Sequence, residues 1–285
     1  MPREQIVRAN GVDLCIETFG DRGAPAILLI SGATESMLSW PEELCERLAA
    51  GSRFVIRYDL RDTGRSVTYE PGAPEYTGAD LVADVVGLLD ATEVGSGHLV
   101  GMSMGGGIAQ VAALVHPQRV ASLTLISTSP AVPGAPDLPP MSEELRAYFA
   151  DAPPEPDWSD RAAVIDHYAE FGRQFASRSV PFDESEWRDR GAGDFDRSTN
   201  LASSMTNHLA IDDPADWRGR LGEIRAPTLV IHGAEDPLFP LEHGRALADE
   251  IPDARLLVLE ETGHELPRRV WDVVVPAILQ QTEGI

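Results

Sequence analysis

The sequence predicts an α/β protein: a mostly parallel eight-stranded sheet flanked by helices, with a helical block inserted between two of its strands. Three observations lead there. Short apolar runs alternate with segments of helical length, the pattern of strands and crossover helices in a parallel sheet. The alternation stops after Ser129 and resumes at Pro227. The stretch between is proline-rich at first, then helical in pattern and aromatic, and it is too long for a connecting loop. With 285 residues, 43% of them hydrophobic and 24% charged, the chain has the composition of an ordinary globule with a sizeable core. Residues 1–130 and 221–285 are therefore expected to form one core, and 131–220 a helical cap.

Residues 5–9 and 12–19 read as two strands joined by Asn10-Gly11, a dipeptide suited to a type I′ hairpin because both positions need positive φ. AILLIS, from Ala26 to Ser31, is a buried strand ending at Gly32. Pro41 is expected at the first helical position of PEELCERLAA, with Gly51 as its stop. FVIRY (54–58) is the next strand. Thr77 is placed to cap a helix over 78–89. A brief strand over 98–100 runs into GMSMGG, a helix over 104–115 follows, and 123–126 is a strand. The chain over 130–156 begins as irregular, proline-rich sequence, and 141–220 then reads as helical. Beyond Pro227, TLVIH is a strand, 241–250 a helix, RLLVLE a strand and 266–280 a helix.

Acidic residues number 46 against 23 basic ones, all of them arginine, for a formal net charge of -23. Such a chain repels phosphate backbones and anionic membrane surfaces, so neither nucleic acid nor membrane is expected as a partner. Free polyanionic substrates are disfavoured likewise; a neutral ester or a cationic amino-sugar conjugate suits the field better. Cys15 and Cys45 are too few for a disulfide framework and lack metal-ligand spacing. They read as buried thiols of a reducing compartment. No signal-peptide core lies in 1–10, and no apolar run approaches a membrane span. A cytoplasmic protein is expected.

Gly101-Met102-Ser103-Met104-Gly105 has the G-x-S-x-G form between a strand and a helix. A serine there sits on a tight turn, and the flanking glycines let neighbouring backbones pass. Its hydroxyl projects above the carboxyl end of the sheet, where open α/β sheets bind ligands. A phosphate loop is excluded, since no lysine exists. Serine needs a base to take its proton. Of seven histidines, His264 follows the last strand and reaches the same edge; His98, His116, His167, His208, His232 and His243 read as structural. The acid that orients the imidazole is expected to be Asp236, with Glu235 as the adjacent rival; Pro237 restricts Asp236 to extended geometry. Two backbone N–H groups should meet the developing oxyanion, those of Met104 at the helix start and of Ala33 after Gly32.

These pieces, together with Ser31-Gly32 and Asp59-Leu60-Arg61-Asp62-Thr63-Gly64-Arg65-Ser66, resemble the α/β-hydrolase superfamily over essentially the whole chain, including its order Ser, Asp, His. Where many members have His-Gly and D-x-R-G, this chain has Ser31-Gly32 and Asp59-Leu60-Arg61-Asp62. The Asp59–Ser66 loop reads as structural, bracing the sheet edge. RYDLRDTGRS, Ser-Trp-Pro before the first helix and VPFDESEW are similar to the aclacinomycin methylesterase group, whose members cleave a methyl ester on an anthracycline polyketide. The resemblance implies a serine carboxylic-ester hydrolase for a bulky, apolar or ring-containing ester, with no metal or cofactor. It excludes dehalogenases and epoxide hydrolases, which carry aspartate in place of Ser103. C–C bond hydrolases, lactonases and cofactor-free haloperoxidases stay open, as does a catalytically silent ligand-binding member of the fold.

Overall fold

Eight strands form one sheet in the order β1-β2-β4-β3-β5-β6-β7-β8. The structure, a computed structural model, describes residues 4–131, 137–211 and 217–283. The strands are β1 (Gln5–Ala9), β2 (Val12–Phe19), β3 (Ala26–Ile30), β4 (Phe54–Tyr58), β5 (Gly97–Met102), β6 (Val120–Ile126), β7 (Thr228–Gly233) and β8 (Arg255–Leu259). The first hairpin is antiparallel, and so is the β2–β4 pair; β3 to β8 are parallel. Asn10 and Gly11 both take positive φ, 45° and 75°, as the Asn-Gly turn requires.

The helices are α1 (Glu42–Ala50), α2 (Gly78–Ala91), α3 (Met104–Val115), α4 (Glu143–Ala150), α5 (Arg161–Phe175), α6 (Glu184–Arg197), α7 (Leu201–Thr206), α8 (Glu242–Glu250) and α9 (Trp271–Gln281). β3 shows why both faces must be covered. Its side chains alternate between two apolar clusters. Leu28 and Ile30 pack with Leu88 of α2 and Ile108 of α3. Ile27 and Leu29 pack with Leu44 of α1 and Val274 of α9. A strand buried on both faces has no polar alternation, only a continuous apolar run.

Several element ends differ from the sequence expectation, β6 among them, which starts at Val120 rather than 123. Pro41 has extended ψ (146°) and precedes α1 as its cap rather than opening it. The helix expected over 266–280 starts at Trp271, because Pro267 is extended and residues 268–270 form a 3-10 turn first. The brief strand at 98–100 runs over 97–102. Thr77 does cap α2, in a reciprocal capping box with Asp80. The irregular chain expected over 132–136 and the helical chain expected over 212–216 lie outside the described residues.

Between β6 and β7 the chain leaves the sheet to build α4 to α7. Among the described residues this block has one small apolar cluster of its own, Val164, Tyr168 and Leu201. Ile211 and Trp217 pack against the apolar cluster that holds Leu28, and the rest of its attachment is largely polar. The buried Asp59 carboxylate accepts from the backbone N–H groups of Met37 and Arg65, and from both terminal nitrogens of Arg197 on α6 (2.7 and 2.9 Å). Arg61 pairs bidentately with Asp84 of α2. Asp62 accepts from Tyr76 Oη and Asn207 Nδ2. The Asp59–Ser66 loop thus braces the sheet edge and also anchors the inserted block.

Candidate active site

The turn from β5 into α3 carries Ser103 at φ 53° and ψ -120°, a conformation costing about 1–3 kcal/mol and kept only where neighbours impose it. Here they do. Ser103 N–H donates to Ile126 O, while Ser103 O accepts from Gly106 N–H and Thr128 Oγ1. A Cβ on Gly101 would lie 2.2 Å from Gly105 O, and one on Gly105 2.3 Å from Ile30 O. Only glycine allows backbones this close, which is why the elbow needs both.

The loops after β7 and β8 meet beside it. His264 Nδ1 donates to Asp236 Oδ2 at 2.8 Å, and both residues are buried. Asp236 Oδ1 accepts from Leu238 and Phe239 N–H, so both carboxylate oxygens are used and the side chain is locked. Burial by itself would raise the Asp236 pKa. The charge and hydrogen bond of His264, with His232 and the Phe239 N–H, outweigh it and hold the pKa below the usual carboxylate value. For His264 burial acts downward, but Asp236 and the charge of Glu35 hold its pKa above the ordinary histidine value. The arrangement leaves Nε2 as the basic nitrogen, without a partner among the described residues. His264 N–H donates to Phe175 O at the end of α5, and the rings of Phe175 and Phe239 pack at 5.8 and 5.6 Å.

Glu235 turns away from His264: its carboxylate takes Ser177 Oγ, Ser179 Oγ and the Arg178 N–H, at the start of the segment after α5. Among the described residues no hydrogen bond joins Ser103 Oγ to His264. Such contacts are commonly long in an unliganded site. The two residues line different cavities, each of which a neighbour of the other also lines. Phe239 lines a cavity of about 440 Å³ with Ser103, Met104, Ile108, Val111 and Trp217. Met102, next to Ser103, lines one of about 360 Å³ with His264, Glu35, Trp187 and Arg190. The first is apolar and the second charged. The Met104 and Ala33 N–H groups have no partner among the described residues, and a Cβ on Gly32 would lie 3.4 Å from Ser103 Cβ. The loop after β3 therefore lies against the elbow.

Sequence reasoning missed Glu35, Arg190, Phe175 and Phe239, whose places depend on chain packing and carry no local signal. Three of the other histidine rings have structural partners of this kind: His98 with Ser122, His232 with Phe239 O, His243 with Ser129 and Pro139 O. Both cysteines are free and buried, and burial pushes each thiol up to about 12, far from a reactive thiolate. No helix among the described residues is long and apolar enough to cross a membrane.

A strained serine elbow and a buried acid–imidazole pair, on loops at the carboxyl edge of this sheet, define a class of protein: the chain belongs to the alpha/beta hydrolase family, which matches residues 25–267. Within it, the chain is 34% identical to Rhodomycin D methylesterase DauP of Streptomyces sp. (strain C5), across 100% of this chain and 99% of that protein. Rhodomycin D methylesterase DnrP of Streptomyces peucetius is equally similar, at 34% with the same coverage. In structure the chain resembles an esterase, EaEST, from Exiguobacterium antarcticum, with a TM-score of 0.78 at 22% identity, covering 99% of this chain and 100% of the other. That last likeness concerns the fold alone.

Proposed function

We propose that the chain is a serine carboxylic-ester hydrolase in which Ser103 is the nucleophile, His264 the general base and acid, and Asp236 the residue that orients it. Residues 131–220 form the cap over a core of 1–130 and 221–285. The observation that carries the mechanism is the buried 2.8 Å contact between His264 Nδ1 and Asp236 Oδ2. It fixes one imidazole tautomer, so that Nε2 holds the free lone pair.

Nε2 accepts the Ser103 proton as Oγ attacks the ester carbonyl. The Met104 and Ala33 N–H groups hold the oxyanion, the first aided by the N-terminus of α3. His264 then protonates the departing alcohol, and afterwards takes a proton from the water that releases the acyl group. The imidazolium formed at each stage lies against the Asp236 carboxylate.

The substrate is a bulky ring-containing ester, namely the methyl ester of an anthracycline-type aromatic polyketide. Support comes from the two rhodomycin D methylesterase relatives and from the apolar cavity beside Ser103, within the 300–1,000 Å³ range of small-molecule sites. Methanol release from methyl-esterified anthracyclines is the test, with Ser103 labelled by a fluorophosphonate. Labelling with cleavage only of small lactones or vinylogous diketones would sink the substrate assignment. The absence of both labelling and turnover would sink the enzyme assignment.

A further inference from the structure

The loop after β3 holds four backbone N–H groups, at residues 32–35, and three of them are occupied. Gly32 N–H donates to Glu35 Oε2 at 3.3 Å. Thr34 N–H donates to His208 Nδ1 at 3.0 Å. Glu35 N–H donates to Gly32 O at 3.4 Å. Ala33 N–H is the one without a partner among the described residues. Thr34 stands at φ 69°, the left-handed region that a β-branched residue keeps only when held there.

Two of the holding groups come from the block between β6 and β7. Arg190 Nη1 on α6 pairs with Glu35 Oε1 at 3.0 Å, its guanidinium lying 3.9 Å over the Trp187 ring. His208, in the 3-10 turn Asn207–Ala210, is buried. Its Nε2–H donates to Arg61 O at 2.8 Å, which leaves the Nδ1 lone pair for Thr34. Arg61 is itself clamped on Asp84. The chain of contacts therefore runs from α2 through Arg61 and His208 to Thr34. Met104, the other oxyanion donor, needs none of this: its N–H is aimed by the first turn of α3.

We infer that His208, assisted by Arg190 through Glu35, is a positioning residue that fixes Thr34 and thereby aims the Ala33 N–H, so that the inserted block completes the oxyanion hole. This rests on Ala33 being an oxyanion donor, as proposed above. The oxyanion exists only at the tetrahedral stage, so loosening the loop lowers kcat; His208 also lines the cavity beside Ser103, so KM reports on that wall and kcat on the loop.

Three measurements test it. With p-nitrophenyl acetate, too small to fill the cavity that His208 helps to line, His208→Leu should lower kcat about tenfold or more. His208→Asn places an amide oxygen near the Nδ1 position and should recover most of that kcat. In the wild-type protein, where no variant has to fold, the Thr34 amide should show a scalar coupling across its hydrogen bond to the His208 ring nitrogen. Equal losses in the Leu and Asn variants, a change in KM alone, or an absent coupling would overturn the inference. The Ala33 amide resonance, followed as a phosphonate adduct forms on wild-type Ser103, separates the two levels. An amide that moves while both variants keep wild-type kcat defeats the positioning role alone. An amide that stays put defeats the oxyanion assignment and the positioning role together.

Discussion

The sheet core and the block inserted between β6 and β7 are held by different physics. The sheet is packed between two large apolar clusters, and non-directional burial of about 25 cal/mol per Å² dominates its stability. The block has a small cluster of its own, touches the core's apolar cluster through Ile211 and Trp217, and otherwise meets the core through polar contacts: Arg197 with Asp59, Ser36 with Asp194, Asn207 with Asp62 and, nearer the surface, Glu235 with Ser177 and Ser179. Burial at this seam pushes the Asp194 carboxyl up to about 6. Buried ion pairs add little net stability compared with apolar packing, but breaking one partner is costly. The seam therefore sets register: a hydrogen bond accepts one geometry, where an apolar surface tolerates sliding. Phe175 over His264 and His208 under Thr34 are both placed in that way.

Changes at the core edge should strike chemistry, and changes at the seam away from His208 should strike stability. The largest effect is expected from Ser103→Ala, a kcat loss on the order of 10⁵–10⁶ with loss of fluorophosphonate labelling and an unfolding midpoint near wild type. Asp236→Asn should cost roughly 10³–10⁴ in kcat, because the imidazole loses its tautomer and its counter-charge. The pH–rate profile carries the same information. In the proposed mechanism turnover needs neutral His264, and its folded-state pKa is raised, so the acid limb of kcat/KM should fall above the ordinary histidine value of about 6.5. In Asp236→Asn the limb should move down; a limb that stays fixed would remove Asp236 from its role.

On the other side of the comparison, Arg197→Ala strands the buried Asp59 carboxylate and should destabilise the fold by about 3–5 kcal/mol in urea unfolding. Activity per folded molecule should suffer far less than in the Ser103 and Asp236 variants. The smallest effect is expected from Glu235→Ala. It removes hydrogen bonds to Ser177 and Ser179 and should cost about 1 kcal/mol, with kcat within about tenfold of wild type. A collapse of kcat there would make Glu235, not Asp236, the acid that serves His264.

Much of this was legible in the residues because the signals are local. Asn10-Gly11, Thr77 with Asp80, and the apolar runs of β3 and β4 act through their own backbone and neighbours. The elbow could be placed because a strand, two glycines and a helix start lie within a few positions of Ser103. Helix ends were less legible, since Pro41 and Pro267 restrict the backbone without saying on which side of them a helix begins. Glu35 and His208 gave no warning at all. Their partners, Arg190 and Thr34, are far away in sequence.

The residues alone are enough for the order of strands and helices, the turn that lifts Ser103, and a short set of residues at one sheet edge. Periodicity and turn chemistry are properties of a few adjacent residues, and they survive in any context. The tertiary structure decided which of two adjacent carboxylates meets His264 across 28 residues, and which turned to Ser177 and Ser179. It also decided that a histidine of the inserted block holds the loop of Ala33. Those choices depend on where separate segments arrive once the sheet has closed its two apolar faces, and that is not encoded in any one of them.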